Sequence, residues 1–231
     1  VLPVFLGGLI EDVTKNFSPR DRLLLAFLSA AIAYYELRCG LNRTDWLWFD
    51  ETVLSYPGVS LVFTIFMIGG VAHAANIIDG FNGLLIGFAV LALLVFGWVA
   101  SQVGLHSYVT YITIVIGTLL GIFFWNFPYG KIFCGDGGAY LIGFMLAIIS
   151  LLLVRGDRNI SPWFPLLVLI YPIIETLFSA YRKKIWRGVS VSLPDGAHLH
   201  MLVYGRIVRK LPVSSRYRNA ATGVIMWIVS I

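Results

Sequence analysis

Long apolar runs, several of them close to 20 residues, are the feature of this chain that most restricts its fold. The sequence is 58% hydrophobic and 13% charged, and its mean hydropathy is +0.84. A helix of about 20 apolar residues crosses the hydrocarbon part of a bilayer, whereas a water-soluble core does not need such runs. The pattern therefore predicts an all-α, polytopic transmembrane helix bundle.

The apolar runs predict about six complete spans and two incomplete ones. The complete spans are expected at 22–38, 59–78, 83–103, 106–127, 139–154 and 163–181, and the stubs at 1–10 and 220–231. Because the chain begins without Met and stops inside an apolar run, we expect a fragment that lacks helices at both ends. Residues 1–231 are predicted to form one membrane domain, with a basic loop at 182–218.

The distribution of Lys and Arg predicts the orientation, because basic residues are retained in short cytoplasmic loops. If the spans alternate in direction, thirteen of the 17 basic residues fall on one side and four on the other. The four are Arg38, Arg43, Arg155 and Arg158. The basic side is therefore predicted to be cytoplasmic, which accounts for the net charge of +5 without a nucleic-acid partner.

Four carboxylates, those of Glu11, Asp12, Asp79 and Asp136, stand at the edges of apolar runs on this cytoplasmic side. Such a group can hold a divalent cation against a phosphorylated substrate. The placement predicts a membrane-embedded phosphoryl-transfer enzyme. A transporter is the alternative from another class, but ion pathways place ionisable residues near the middle of the bilayer rather than at one boundary.

The first motif is the acidic pair Glu11-Asp12 followed by Lys15, at the cytoplasmic end of an apolar helix. Adjacent helical residues point about 100° apart, so one acid can face a metal or nucleophile while the other meets a different group. A solvated helix end is an equally simple explanation. Downstream, Ser18-Pro19 is predicted to begin the next helix, with Ser as N-cap and Pro at the first helical position.

The second motif joins two predicted spans and contains Asn76, Asp79 and Asn82 among glycines. Asn76 and Asp79 share a helix face at i and i+3, and Gly80 and Gly83 permit a turn with close approach of a ligand. Two amides beside a carboxylate predict a binding site for a polar ligand. A plain helix–helix turn is the alternative.

The third motif, Gly135-Asp136-Gly137, lies after Lys131 and immediately before another span. A carboxylate between glycines is uncrowded, and at a helix N-terminus it can reach a cation or a phosphate. A simple Asp-Gly turn looks similar. Together with the first two motifs, it predicts that Asp136 is a metal ligand.

The fourth motif places His198 and His200 in the basic loop, after Pro194, Asp195 and Gly196, at the start of an expected helix over 198–210. Histidine can bind metal, accept a proton or neutralise a pyrophosphate. Residues at i and i+2 do not share a helix face, so at most one of the two is expected in the site if this stretch is helical. Arg187 is a candidate for an anion-binding cradle.

Two ionisable residues inside predicted spans are expected to be structural. Glu175 lies about two turns inside a span, where an ionised acid is costly, and is predicted to pair with a basic residue near Arg182. His73 is expected to pack between helices.

Taken in order, the four motifs resemble those of the polyprenyl-phosphate N-acetylhexosamine-1-phosphate transferases, which are of the glycosyltransferase family 4 type. The resemblance covers nearly the whole chain, and the segment from Glu175 to His200 is most similar to the O-antigen type. Phospho-N-acetylmuramoyl-pentapeptide transferase is a more distant relative. Where the family commonly has an Asp pair, this chain has Glu11-Asp12, and where many members carry a further Asp it has Asn82.

The resemblance implies transfer of a sugar 1-phosphate from a UDP-sugar to undecaprenyl phosphate with release of UMP. It implies Mg²⁺ or Mn²⁺ held by Asp136, Asp79 and Asp12, with Glu11, Asp12, Lys15, Asp136 and His198 as catalytic residues. Asn76, Asp79, Asn82, Lys131, Arg187 and His200 are then expected to bind the substrates.

The same resemblance implies a multi-pass protein of the bacterial inner membrane that starts a cell-envelope polysaccharide such as lipopolysaccharide O-antigen. A homodimer is compatible with the sequence. The alternative within this family is a truncated or inactive homologue that acts only as a membrane partner.

Overall fold

The computed structural model describes residues 1–190 and 196–230, and this part of the chain folds into a bundle of helices. The helices are α1 (Leu2–Thr14), α2 (Pro19–Leu37), α3 (Leu47–Phe49), α4 (Pro57–Ile78), α5 (Leu84–Gln102), α6 (His106–Asn126), α7 (Gly135–Gly156), α8 (Trp163–Val168), α9 (Ile170–Tyr181), α10 (Leu199–Arg206) and α11 (Arg218–Ser230). Short π-helical turns follow α3 and α9, at Asp50–Leu54 and Arg182–Trp186. The predicted all-α membrane architecture is confirmed.

Four helices in the described part, α4, α5, α6 and α7, are long and apolar enough to cross a membrane. They match the predicted spans at 59–78, 83–103, 106–127 and 139–154. Helix α2 lies where the span 22–38 was expected, but it is not among the four because its first turn carries Arg20, Asp21 and Arg22.

The predicted span at 163–181 is wrong as a single helix, because the structure divides it into α8 and α9. The break at Leu169 comes just before Pro172. Proline has no N–H group, so residue 172 cannot donate the helical hydrogen bond to residue 168, and its ring crowds that carbonyl.

Helix α7 lies at the centre of the bundle, where α1 and α4 pack against it. Helix α5 packs against α6 and α11, and α9 packs against α4. Phe88, Leu93, Phe144 and Leu153 are fully buried in one continuous apolar core. Most of α6 is exposed, as expected for a helix whose apolar side chains face lipid.

Helix ends bring the polar motifs to one end of the bundle. The C-terminal ends of α1 and α4 lie beside the N-terminal ends of α2 and α7, as the hydrogen bonds described below show. Ser18 caps α2 by accepting a hydrogen bond from the Asp21 amide at 3.2 Å, with Pro19 in the first turn, which confirms the predicted helix start. At the other end, Arg43 donates to the carbonyl of Ile160 and Arg155 to that of Leu37.

The basic loop contains less helix than predicted. The helix expected over 198–210 is present as α10 and a following 3₁₀ turn at Val208–Lys210, with Ile207 between them. Pro194 and Asp195 of the fourth motif lie outside the described residues.

Candidate active site

Asp12 connects the end of α1 to the beginning of α7. Its two carboxylate oxygens accept hydrogen bonds from the backbone amides of Asp136 and Gly137, at 2.9 and 3.0 Å. The first amides of a helix have no partner within the helix, and the helix dipole favours an anion there. Asp12 therefore caps α7 from another helix and places Asp136 at this end of the bundle.

Asp136 has two partners of its own. Its Oδ1 accepts a hydrogen bond from Asn76 Nδ2 at 3.0 Å, and its Oδ2 forms an ion pair with Arg22. The Arg22 side chain is 12% exposed, and its guanidinium lies 5.9 Å from the centre of the Tyr140 ring. Arg22 was not predicted as a site residue, and no local signal separates it from Arg20, which precedes it in the same helical turn.

Asp79 follows the last residue of α4 and differs from the other two aspartates. Within the described part of the chain its carboxylate makes no hydrogen bond or ion pair. Burial and the negative charge of Asp12 raise the pKa of Asp79 to about 6. Burial and the charge of Asp79 also raise the pKa of the Cys134 thiol to about 12, so Asp79 is close enough to both residues for their charges to interact.

The Asp79–Gly83 turn is held by buried amides. Gly83 precedes α5 with φ of +74°, a conformation that favours glycine, and its amide donates to Asn126 Oδ1 at 2.5 Å. Asn82 is buried, and its Nδ2 donates to the carbonyl of Pro128 at 3.0 Å. The contacts of Asn82 fasten the loop between α6 and α7, whereas a contact of its side chain with substrate stays a prediction.

Both histidines of the basic loop lie in the interior. The rings of His198 and His200 are nearly parallel, with centres 5.4 Å apart, and the two residues are 9% and 1% exposed. The helical stretch on which the expectation of a single site histidine depended does not include His198, which precedes the first residue of α10 in an extended conformation. The roles of both histidines toward substrate stay predictions. A Cβ atom on Gly80 would lie 3.2 Å from His200 Nε2, so this ring packs against the turn that carries Asp79.

Glu175 is the partner of His198. Its Oε1 lies 2.8 Å from His198 Nδ1, and both of its carboxylate oxygens accept from the Leu199 amide at 3.1 Å. The predicted pairing of Glu175 with a basic residue near Arg182 is therefore wrong. The pairing with His198 depends on the fold of the loop, which the helical periodicity of α9 does not reveal.

A model of glycosyl transferase family 4 matches residues 1–154, which include the three aspartates of this region. The chain belongs to glycosyl transferase family 4.

Curated relatives of this family-4 chain include two kinds of transferase. A probable undecaprenyl-phosphate N-acetylglucosaminyl 1-phosphate transferase of Bacillus subtilis is 34% identical over 66% of this chain and 41% of its own length. A phospho-N-acetylmuramoyl-pentapeptide-transferase of Lactobacillus gasseri is 36% identical over 86% of this chain and 65% of its own. An undecaprenyl-phosphate alpha-N-acetylglucosaminyl 1-phosphate transferase of Thermotoga maritima is 28% identical over 90% and 61%. The chain thus spans less than two thirds of the length of each of these relatives.

The other predicted site residues of the family-4 chain lie at the edges of the aspartate cluster. Glu11 accepts a hydrogen bond from the Phe17 amide at 2.8 Å, which holds the connection between α1 and α2. Lys15 is exposed in a left-handed conformation at the end of α1. The ammonium of Lys131 lies 5.6 Å from the centre of the Trp125 ring, and Arg187 is exposed. The roles predicted for these four residues stay predictions. His73 bonds Tyr140 at 2.7 Å between α4 and α7, which confirms its packing role.

Among residues 1–190 and 196–230, no three His, Cys, Asp or Glu side chains are close enough together to hold a metal ion. The oxygens of Asp12 are taken by the amides of α7, and those of Asp136 by Arg22 and Asn76. Magnesium, however, is often bound by one or two carboxylates together with water and substrate phosphates. The carboxylate of Asp79, without a cationic partner and with a raised pKa, fits that kind of site.

Proposed function

We propose that this chain is part of an enzyme that transfers a sugar 1-phosphate of the N-acetylhexosamine type from a UDP-sugar to undecaprenyl phosphate, with release of UMP. The reaction would be the first membrane step in assembly of a cell-envelope polysaccharide, with O-antigen as one candidate product. The names of the Bacillus and Thermotoga relatives support this chemistry. A homodimer stays a prediction.

One observation carries the proposal: helices α1, α2, α4 and α7 bring Asp12, Arg22, Asn76, Asp79 and Asp136 to one end of an apolar bundle. A lipid phosphate and a soluble nucleotide sugar can meet only at a membrane boundary. Carboxylates and a guanidinium at that boundary supply the charges that phosphoryl transfer requires.

The distribution of basic residues supports a cytoplasmic location for this end of the bundle. Lys15, Arg20, Arg22 and Lys131 lie in or next to the segments that carry the aspartates. At the opposite end of α7, Arg155 lies in the last turn and Arg158 follows the helix. We therefore place the site at the cytoplasmic face of a bacterial inner membrane, where nucleotide sugars are available. The lipid tail would occupy the apolar surface between helices.

The residues divide into three tasks. Asp79 and Asp136 would hold Mg²⁺ or Mn²⁺ together with the substrate phosphates, and Asp12 would position Asp136 through its hydrogen bonds to α7. When bound, the cation would offset the repulsion between two anionic substrates and the charge on the transferred phosphoryl group. Arg22 is placed to bind a phosphate oxygen if a cation takes its place on Asp136.

The test is UMP release from a panel of UDP-sugars with undecaprenyl phosphate, measured with the full-length protein in the presence and absence of Mg²⁺. We expect activity with a UDP-N-acetylhexosamine and a loss of about a hundredfold or more in Asp136→Asn. Asp157→Asn is the matched control, because Asp157 follows the opposite end of the same helix, and it should keep wild-type activity. No release by the intact protein would favour the inactive-homologue alternative, and equal activity in Asp136→Asn would remove Asp136 from its assigned task.

A further inference from the structure

Glu175 is a buried carboxylate that the aspartate cluster does not explain. It is 7% exposed and lies in α9. Its oxygens contact two groups in the described part of the chain, the His198 ring and the Leu199 amide. A carboxylate in such a place is costly unless it is paired and fully hydrogen-bonded. The hydrogen bonds that Glu175 needs are thus supplied by His198 and Leu199, the first two residues of the His-Leu-His segment.

The pairing determines which ring nitrogen of His198 carries a proton. An ionised carboxylate can only accept hydrogen bonds, so the 2.8 Å contact with Oε1 requires a proton on Nδ1. The second nitrogen, Nε2, makes no hydrogen bond with the described residues. In a neutral ring with the proton fixed on Nδ1, Nε2 carries no proton and can accept a hydrogen bond, and the contact with Glu175 also fixes the orientation of the ring.

His198 is also fixed by its neighbours. Its ring is parallel to that of His200, which in turn bonds the Tyr171 hydroxyl through Nδ1 at 3.2 Å and packs on Gly80. Gly80 follows Asp79 in the chain. The histidine pair therefore contacts α9 on one side, through Glu175 and Tyr171, and the turn that carries Asp79 on the other.

We propose that Glu175 is a positioning residue, which keeps the proton of His198 on Nδ1 and directs Nε2 to the phosphate or sugar of the nucleotide substrate. The inference rests on the proposed function for its substrate. The alternative role is structural, because the Leu199 hydrogen bonds would by themselves make Glu175 a cap for α10.

The variant Glu175→Gln separates the two roles. Glutamine has the same shape, and its carbonyl oxygen can still accept from the Leu199 amide, so the cap is kept. When the carbonyl takes the Oε2 position toward Leu199, the NH₂ group faces His198 Nδ1 and can only donate, which moves the histidine proton to Nε2. The ¹⁵N signals described below report whether this orientation is adopted. A structural role predicts little change from this substitution, whereas the positioning role predicts a large one.

The experiment measures kcat, KM and thermal unfolding for wild type, Glu175→Gln, His198→Ala and the double variant of the full-length protein. We expect Glu175→Gln to lower kcat about tenfold to a hundredfold, as loss of an outer partner does for metal-bound histidines, at an unchanged unfolding temperature. In the His198→Ala background the same substitution should have no further effect on kcat, because two residues that act as a unit are not additive.

A spectroscopic readout is independent of turnover. With ¹⁵N-histidine labelling, the His198 signals can be assigned by their loss in His198→Ala, and we expect the protonated nitrogen to change from Nδ1 to Nε2 in Glu175→Gln. Wild-type kcat in a Glu175→Gln protein whose ¹⁵N signals place the proton on Nε2, a loss of kcat while the proton stays on Nδ1, or an equal loss of kcat in the His198→Ala background would overturn the proposal. An inactive wild-type protein with the expected ¹⁵N pattern would refute the proposed function instead, and an Nδ1 without a proton in wild type would refute the positioning role.

Discussion

A single methyl group on Gly8 should separate the two helices that form the aspartate cluster. Gly8 lies in α1, one turn before Asp12, where α1 crosses the beginning of α7. A Cβ atom at this position would lie 2.3 Å from both the N and Cα atoms of Gly137 and 2.5 Å from the carbonyl carbon of Asp136. All three are backbone atoms, so a side-chain rotation cannot relieve the clash.

The size of the effect follows from these distances. An ordinary Cβ contact begins at 3.4 Å, so α1 and α7 would have to move apart by about 1.1 Å. Overpacking of this kind costs about 1–3 kcal/mol, and because the contacts are with backbone atoms we expect the upper part of this range, which exceeds the gain of about 1 kcal/mol in helix propensity from Gly to Ala. The hydrogen bonds that Asp12 accepts from the amides of α7 would lengthen in the same movement. A displacement of about 1 Å at a reacting group can lower the rate about a hundredfold.

The neighbouring residue provides the control. A Cβ atom on Gly7 would meet Leu25 Cδ1 at 2.9 Å, at the mobile end of a side chain that can rotate away. We expect Gly8→Ala to lower UMP release at least tenfold and the unfolding temperature by several degrees, with smaller effects in Gly7→Ala. If Gly8→Ala unfolds and turns over like Gly7→Ala, the close crossing of α1 and α7 is not what positions Asp12 and Asp136.

Two further substitutions test the separate tasks of the aspartates. Asp12→Asn leaves one acceptor oxygen for two amides, so we expect it to destabilise the protein by about 1–3 kcal/mol. The measurement is thermal unfolding, and the control is Asp21→Asn at an exposed position, which should change stability little. The pKa of Asp79 is about 6 in the folded protein and 3.8 in an unfolded chain. The folded state therefore binds the proton more tightly, and the wild-type protein should become less stable as the pH rises from about 3.8 to 6. Asp79→Asn should therefore raise the unfolding temperature at pH 7.5, with a smaller difference from wild type near pH 4. Burial lowers the pKa of His200 to about 4, which makes stability depend on pH in the opposite direction. His200 is present in both proteins, so its effect cancels when their unfolding temperatures are subtracted. A difference that does not vary with pH would contradict the raised pKa of Asp79.

Local signals predicted the helices well where they are strong. The apolar runs located α4 to α7, and Ser18-Pro19 located the start of α2, because span length and N-capping depend only on neighbouring residues. Pro172 was visible in the sequence, yet the break at Leu169 was missed because the apolar run continues across it. Hydropathy indicates whether a segment lies in lipid or in water. Whether that segment is one helix depends on its backbone hydrogen bonds, and a proline removes one of them.

The partners within the site could not be predicted in the same way. The motifs identified Asp12, Asn76 and Asp136 as polar residues at one boundary, but not that Asp12 caps a helix 124 residues further along the chain. Arg22 was counted only as one of the thirteen basic residues on the cytoplasmic side, and Glu175 was interpreted from its position inside a span as a structural acid. Their real partners come from other elements, and no periodicity within α2 or α9 contains that information.

The charges of the three aspartates explain why they are not equivalent. Asp12 is compensated by the dipole and amides of α7, and Asp136 by Arg22. Asp79 keeps its charge without a partner in the described part of the chain, in a position where both burial and Asp12 disfavour ionisation. The proposed cation would gain most next to Asp79, since there it would remove an existing electrostatic cost instead of replacing a partner. If the proposed cation also contacted Asp136, it would replace Arg22 there, and the guanidinium of Arg22 would be free for a substrate phosphate.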